Sequence, residues 1–294
     1  MKIGENELLL PGHPLCPGCG IAIAVRQIMK VLGKRTIVLL PPSCVGPLTR
    51  EGAFKFRVPG VHIALVHGAA IAAGVKAGLE AKGLSDVVVV PLMGDGGTAD
   101  IGFQALSGAA ERNDDILYVC TDNEAYMNTG RQGSASTPFG AYTTTTPVGV
   151  LAPFGRDKPK KDLFRIITDH KVPYAATASP SYPADLRRKI EKAKQTRGFR
   201  YIHVLCPCPT GWGYPTEKTV EIGRLAVKTR FFILAESEYG RIKITYRVEE
   251  KTPVEQYLKM QGRFRHLKDE QIKMVQAYID EQWEDYVKSA GGLQ

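Results

Sequence analysis

The chain has 294 residues, 44% of them hydrophobic, which is enough for one large α/β domain or two small ones with an ample core. The net charge of +9 comes with no nucleic-acid recognition motif, so a solvated basic surface is favoured over nucleic-acid binding, and such a surface also suits an acidic electron carrier. Neither a membrane span nor the apolar core of a signal peptide is present, and we predict a cytoplasmic protein.

The first motif along the chain is a CxxC pair in a segment rich in Gly and Pro. Cys16 and Cys19 can converge there on zinc or on an iron–sulfur centre, and six cysteines in a reducing compartment favour metal over disulfides. A helix is predicted over residues 21–32 and a buried strand over residues 36–40. Cys44 follows that strand, either as a third thiolate of the same centre or as a small buried residue.

The next predicted strand covers residues 61–68 and leads into an alanine-rich helix over residues 69–81. His67 ends this strand. A hydrogen-bonded structural histidine and a cofactor contact are equally good interpretations of it.

A glycine-rich turn between two buried segments organises the middle of the chain. The strand over residues 87–90 precedes Gly94–Gly97, a helix over residues 98–111 follows, and the next strand ends before Asn123. Asp95 and Asn123 therefore lie at the carboxyl ends of two strands, where open parallel sheets bind ligands. Their oxygens suit Mg²⁺ with a phosphate, and the alternative is a purely structural turn.

Alternating strands and helices up to residue 205 predict an α/β fold, a mainly parallel twisted sheet with helices on both faces. We expect a domain at residues 1–230 and an extension at residues 231–294, the latter a hairpin appendage followed by charged helices over residues 254–261 and 269–289. The polar loop at residues 131–147 is interpreted as a lid or a subunit contact.

Four thiolates make one cubane site. Cys16, Cys19 and Cys44 are three candidates, and the fourth is Cys206 or Cys208, which spacing does not separate. A zinc site from the same residues is an alternative, and Cys120 is expected in the core.

The GDG turn with its downstream Asn resembles the thiamine diphosphate (ThDP) motif. The longer segments GHPLCPGCG, DIGFQALSGAAERN, DNEAYMNTG, CPTGW and QGRF resemble one family over most of the chain. That family is the β subunits of the 2-oxoacid:ferredoxin oxidoreductases, of the multi-subunit pyruvate:ferredoxin type. The resemblance implies ThDP, Mg²⁺ and one [4Fe–4S] cluster as cofactors.

Carried over to this sequence, the resemblance assigns each cofactor a set of residues. Mg²⁺ is bound by Asp95, Asn123 and the main-chain carbonyl of Ala125. ThDP is lined by Gly94, Gly96, Gly97, Met127, Thr129, Gly130 and Cys44. The cluster is bound by Cys16, Cys19, Cys44 and Cys208, and the catalytic assignments are Asn128, near the substrate, and His67, beside the cofactor.

The implied reaction is the oxidative decarboxylation of a 2-oxoacid, first of all pyruvate, with electrons passed to ferredoxin and the acyl group usually to coenzyme A. The sequence departs from the family pattern around Cys44 and after His67, so a branched-chain, aromatic or oxalate-type acid is an alternative substrate. The carboxylate that activates ThDP comes from a partner in this family, so we expect activity only together with the α subunit, and with the γ and δ subunits, of the same oxidoreductase. Rival interpretations are a non-redox ThDP decarboxylase or synthase subunit and a zinc-bound interaction subunit.

Overall fold

A central sheet organises the part of the chain, residues 7–49 and 54–291, that the computed structural model describes. Its strands are Thr36–Leu40 (β1), Gly60–His62 (β2), Val88–Gly94 (β3), Leu117–Asp122 (β4), Tyr174–Ala178 (β5), Arg200–Leu205 (β6), Ala235–Glu238 (β7) and Arg241–Ile244 (β8). They lie in the order β2-β1-β3-β4-β6-β5-β7-β8. All pairs from β2 to β5 are parallel, while β7 is antiparallel to β5 and β8, so the expected mainly parallel α/β fold is confirmed.

Helices cover both faces of this sheet. They are Gly20–Leu32 (α1), Gly68–Ala81 (α2), Asp95–Ala99 (α3), Phe103–Glu111 (α4), Leu163–Asp169 (α5), Pro183–Gln195 (α6), Pro209–Trp212 (α7), Thr219–Lys228 (α8), Val254–Lys259 (α9) and Asp269–Ser289 (α10). Side chains alternate across β3, so that Val88 and Val90 pack with α1 and α6, while Val89 and Met93 pack with α2 and α4. A third core cluster joins α7 to α8, α9 and α10 around Trp212.

The structure corrects three predicted elements. The strand expected over residues 61–68 is the short edge strand β2, which ends at His62, and Val61 is 51% exposed there. The helix expected over residues 98–111 breaks at Gly102, where a Cβ atom would lie 2.2 Å from Gly97 O. The hairpin expected from strands over residues 231–234 and 241–248 is formed by β7 and β8, so its first strand lies later and its second is shorter than expected, and it extends the main sheet by pairing with β5 instead of forming an appendage.

The sheet reverses its strand order beside β1, because β2 lies on one side of it and β3 on the other. Crevices form at such reversals, outside the carboxyl ends of the strands. The loops that follow β1, β3, β4 and β6 all open at this edge, since these four strands are parallel neighbours. None of the helices in the described ranges combines the length and apolar character needed to cross a membrane.

Candidate functional site

The turn after β3 is packed too tightly for a side chain at its centre. A Cβ atom at Gly96 would lie 2.2 Å from the Tyr126 ring, well inside van der Waals contact. The ring is held in place, because the Tyr126 hydroxyl donates to Gly96 O at 3.2 Å and to Asp100 Oδ2 at 2.9 Å. The turn therefore requires glycine by close approach, and Gly94, Gly96 and Gly97 line a cavity of about 230 Å³.

Asp95 begins α3 and lines the same cavity, although it is only 2% exposed. Ser134 Oγ donates to Asp95 Oδ2 at 2.5 Å, so the second carboxylate oxygen, Oδ1, is left for another partner. Burial, and after it the charge of Asp122, raises the pKa of Asp95 well above its ordinary value. A cation beside Oδ1 would counter both effects, so the surroundings of Asp95 suit a metal ligand.

The Asn123 carboxamide lies beside this oxygen. One of its two terminal atoms is 2.8 Å from Ala125 O and 3.1 Å from Asp95 Oδ1, and the other is 3.4 Å from Cys44 Sγ. With nitrogen in the first position, the amide donates to both oxygens. With oxygen there, this oxygen lies roughly 3 Å from each of the other two, which is the separation of neighbouring ligands around octahedral Mg²⁺ with bonds of about 2.1 Å. The donor set thus fits the predicted ion.

A buried charge network lies behind these ligands. Lys160 Nζ is 2.6 Å from Asp122 Oδ2 and 2.8 Å from Glu124 Oε1, and both carboxylates are buried. Arg263 Nη2 is 2.7 Å from Glu124 Oε2, and His203 Nε2 is 2.7 Å from Asp122 Oδ2. Burial alone would raise the pKa of Asp122, but Lys160 and His203 more than offset it and hold this pKa below its ordinary value.

The same network supports an uncommon backbone conformation. Glu124 has a φ of 66°, in the left-handed region that side chains with a Cβ rarely adopt. Glu124 N donates to Asp122 Oδ1 at 2.8 Å, and Thr137 Oγ1 donates to Glu124 O at 2.8 Å. Trp212 Nε1 donates to Asn123 O at 2.9 Å. Distant segments therefore hold a turn whose strain is of the order of 1–3 kcal/mol.

A second cavity, of about 480 Å³, adjoins the first and is lined by five cysteines. They are Cys16, Cys19, Cys44, Cys206 and Cys208. Within the described ranges, no three His, Cys, Asp or Glu side chains are close enough to hold a single metal ion. Zinc binds sulfur at about 2.3 Å and needs tight convergence, whereas thiols spread around a cavity of this size suit a cluster several atoms across.

Two hydrogen bonds fasten the CxxC segment to the chain that follows β6. Gly20 N donates to Pro207 O at 3.0 Å, and Thr219 Oγ1 donates to Gly18 O at 2.6 Å. These contacts bring Cys19 and Cys208 to one cavity although they are far apart in sequence.

The thiols of Cys44 and Cys208 are protonated groups in the absence of a metal. Burial raises the pKa of Cys44 to about 12 and that of Cys208 to about 11, and neighbouring cysteines add to both shifts. A positively charged metal centre would reverse these shifts, because metal binding removes the thiol proton.

Most of the predicted cofactor residues surround the first cavity. They are Cys44, Gly94, Asp95, Gly96, Gly97, Asn123, Ala125, Met127, Asn128 and Thr129. Gly130 lines the second cavity instead. His67 lines neither of the two and is exposed at the beginning of α2.

The sequence interpretation missed the supporting residues Ser134, Lys160 and Arg263. Ser134 lies in the polar loop that was predicted to be functional, and its hydroxyl contacts Asp95 directly. Asp122 and Glu124, which flank Asn123 at the end of a buried strand, do predict a basic partner, because buried carboxylates are usually paired with a positive charge. With 39 Lys and Arg residues in the chain, however, the pattern does not identify which ones they are.

Comparison with known proteins agrees with this architecture. A family model described as "Thiamine pyrophosphate enzyme, C-terminal TPP binding domain" matches residues 47–204. The pyruvate synthase subunit PorB of Methanothermobacter thermautotrophicus is 53% identical over 281 residues, which cover 95% of this chain and 97% of that protein. The ketoisovalerate oxidoreductase subunit VorB of Pyrococcus abyssi is 44% identical over 293 residues, which cover 97% of this chain and 94% of that protein.

Among solved structures, the chain is similar to a 2-oxoglutarate:ferredoxin oxidoreductase from Magnetococcus marinus. The TM-score is 0.59 at 23% identity, covering 71% of this chain and 70% of that one, so the two share a fold. Together with the glycine turn and the thiol-lined cavity, the identity to PorB and VorB proteins over nearly the whole chain establishes the family. The chain belongs to the ThDP-binding β subunits of the 2-oxoacid:ferredoxin oxidoreductases.

Proposed function

We propose that this subunit binds ThDP with Mg²⁺ in the first cavity and one [4Fe–4S] cluster in the second, and that it oxidatively decarboxylates a 2-oxoacid. The observation that carries the proposal is that the two cavities share Cys44, Asn123, Met127 and Asn128. Groups bound in them would lie side by side. An oxidative decarboxylation needs this arrangement, because electrons must leave the reacting centre for a nearby acceptor.

Within this proposal, the residues of the first cavity hold and orient the cofactor. Asp95, Asn123 and Ala125 O would hold Mg²⁺, which would supply positive charge for the diphosphate of the cofactor. Gly96 and Gly97 let the diphosphate approach the main chain. ThDP supplies the decarboxylation chemistry when bound.

For the cluster we propose Cys16, Cys19, Cys44 and Cys208 as ligands. Cys206 is fully buried and packs in the main core with the side chains of β6, while Cys208 is half-buried at the start of α7. A ligand must present its sulfur to the cavity, so the more accessible Cys208 is the better fourth ligand.

Pyruvate is the first candidate substrate. Two relatives named pyruvate synthase subunits share 53% and 51% identity with this chain, against 44% and 43% for two ketoisovalerate oxidoreductase subunits. A pyruvate synthase subunit from Pyrococcus horikoshii is 41% identical, so identity alone does not rank the acids. A branched-chain, aromatic or oxalate-type acid stays the alternative, and turnover of each acid by the assembled enzyme decides between them.

We further propose that activity requires partner subunits. ThDP enzymes need a carboxylate beside the aminopyrimidine ring, and Asp95, the one carboxylate of the described residues that lines the first cavity, is assigned to the metal. A partner covering the rim of this cavity and the loop at residues 131–147 would supply the missing group. Val150 and Leu151, just beyond that loop, are 98% and 100% exposed. Ferredoxin and coenzyme A are the proposed electron and acyl acceptors.

Iron and ThDP measurements on variants test the proposal. Purified without oxygen, the assembled enzyme should contain iron and sulfide for one [4Fe–4S] cluster in this subunit. Cys208→Ser should lose that iron, whereas Cys120→Ser, in the core of β4, should keep it. Substituting a residue that only hydrogen-bonds a metal ligand typically lowers metal affinity or activity by roughly 10–100-fold. Asp95→Ala removes a proposed ligand itself, so it should weaken ThDP binding by at least that factor. Zinc in place of iron, or unchanged ThDP affinity in Asp95→Ala, would overturn the respective assignment.

A further inference from the structure

Asn123 connects the two cavities through a single side chain. It is 4% exposed and lines both of them. One end of its carboxamide faces Ala125 O and Asp95 Oδ1, at 2.8 and 3.1 Å, and the other end faces Cys44 Sγ at 3.4 Å. The first end belongs to the proposed metal site and the second to a proposed cluster ligand.

The two orientations of this amide exclude each other. When the nitrogen faces Ala125 O and Asp95 Oδ1, both oxygens receive a hydrogen bond and the amide oxygen faces Cys44 Sγ. When the oxygen faces them, three oxygens crowd together, which costs free energy unless a cation lies between them. Only in this second orientation does an N–H group donate to Cys44 Sγ.

We propose that Mg²⁺, on binding with ThDP, fixes the Asn123 oxygen toward the metal and thereby directs its N–H group at Cys44 Sγ, which raises the reduction potential of the cluster that Cys44 ligates. The inference rests on the proposed cofactor and cluster sites. In it Asn123 is a positioning residue for electron transfer as well as a metal ligand. An empty ThDP site would then leave the cluster a weaker acceptor, and a loaded site would make it a stronger one.

The sign follows from electrostatics. Reduction adds negative charge to the cluster and its sulfur ligands, and an N–H donor stabilises that charge, whereas an amide oxygen destabilises it. Hydrogen bonds to the sulfurs are among the features that set iron–sulfur potentials.

The coupling must act in both directions. If metal binding makes the cluster easier to reduce, then reducing the cluster must strengthen metal binding by the same factor. The amide orientation is a two-state element that both sites bias, which is the physical requirement for such coupling.

The test uses the assembled enzyme, depleted of Mg²⁺ with a chelator and of ThDP by dialysis. The midpoint potential of the Cys44-ligated cluster is followed by EPR during titration with dithionite, before and after addition of Mg²⁺ and ThDP. In the parent enzyme, the midpoint potential of the cluster should rise when Mg²⁺ and ThDP are added. Asn123→Asp keeps an oxygen for the metal but has no N–H group, so its rise should be clearly smaller.

Gln132→Glu is the matched control. Gln132 hydrogen-bonds Thr129 but lines neither cavity, so the substitution makes the same amide-to-carboxylate change nearby while it leaves the Asn123 amide intact. It should show the full rise of the parent enzyme. Equal rises in all three proteins would overturn the inference, because the shift would then come from the cofactor charges alone.

Failure of the proposed sites would be recognised before any potential is measured. Iron analysis and ThDP titration of the parent enzyme come first, and absence of the cluster or of ThDP binding contradicts the proposed function itself. If Asn123→Asp no longer binds Mg²⁺, a second measurement decides. In the parent enzyme labelled with ¹⁵N in asparagine side-chain amides, loading should increase the ¹⁵N hyperfine coupling at the reduced cluster. An unchanged coupling would overturn the inference.

Discussion

Replacing Lys160 by Met should destabilise this subunit more than its position in an irregular loop suggests. The ammonium group contacts Asp122 and Glu124 at 2.6 and 2.8 Å, and these carboxylates are 0% and 1% exposed. Met keeps most of the aliphatic volume but leaves two buried carboxylates short of one positive charge. Removing one partner of a buried ion pair typically costs about 3–5 kcal/mol.

The lower end of that range is expected here, since Arg263 and His203 remain beside the two carboxylates. With an unfolding entropy of about 2.1 cal/mol/K per residue, a loss of about 3 kcal/mol corresponds to a fall in melting temperature of roughly 5 °C for a chain of 294 residues. ThDP affinity should fall as well, because the strained turn at Glu124 places the Asn123 and Ala125 oxygens.

Thermal unfolding, followed by circular dichroism in the absence of ThDP, measures the first effect, and ThDP titration measures the second. Lys158→Met is the matched control, because Lys158 is exposed two residues earlier and its loss changes the net charge equally. The control should lie within about 0.5 kcal/mol of the parent protein. Similar melting temperatures for both variants would refute the reasoning, since the buried network would then contribute no more than a surface charge.

Three further predictions concern other parts of the molecule. Gly96→Ala should abolish ThDP binding, since its Cβ atom would overlap the Tyr126 ring, whereas Gly74→Ala, with open space in α2, should raise stability by about 0.5–1 kcal/mol in unfolding experiments. Burial lowers the pKa of Lys189 to about 8, below the value of about 10.4 in the unfolded chain. The buried charge therefore lowers the free energy of unfolding by its full amount below pH 8, and this loss disappears as the pH rises toward about 10.4. Relative to Lys189→Met, the free energy of unfolding of the parent should therefore rise by about 2–3 kcal/mol between pH 7 and pH 10. If the difference between the two proteins is the same at both pH values, this pKa assignment is wrong. Pyruvate-dependent reduction of a viologen dye should need the partner subunits, and equal turnover by the isolated chain would show that no partner carboxylate is required.

The regular elements were the parts of the structure that the sequence predicted best, and the proposed metal ligands Asp95, Asn123 and Ala125 do line one cavity. Buried β-branched runs and amphipathic helices follow from local periodicity, so β3, β4, α1 and α10 lie where expected. The length of the edge strand β2 was overestimated, because a run of apolar residues does not reveal that the strand ends at His62. The partners of Asp122 and Glu124 are distant in sequence, and no local pattern determines which cations reach them.

The order of the strands in the sheet, which differs from their order in the chain, brings the thiols to the proposed cofactor cavity. The proposed metal ligands follow β3 and β4, while Cys44 follows β1 and Cys208 follows β6, so strands that lead to thiols flank the two that lead to the proposed metal site. This holds only because β5 pairs on the outer side of β6. Had the strands paired in chain order, β5 would separate β6 from β4, and Cys208 would lie about 4.8 Å farther away. The crossover that places β6 beside β4 therefore accounts for two cavities that share lining residues, and this is the arrangement on which the proposed redox centre beside the cofactor depends.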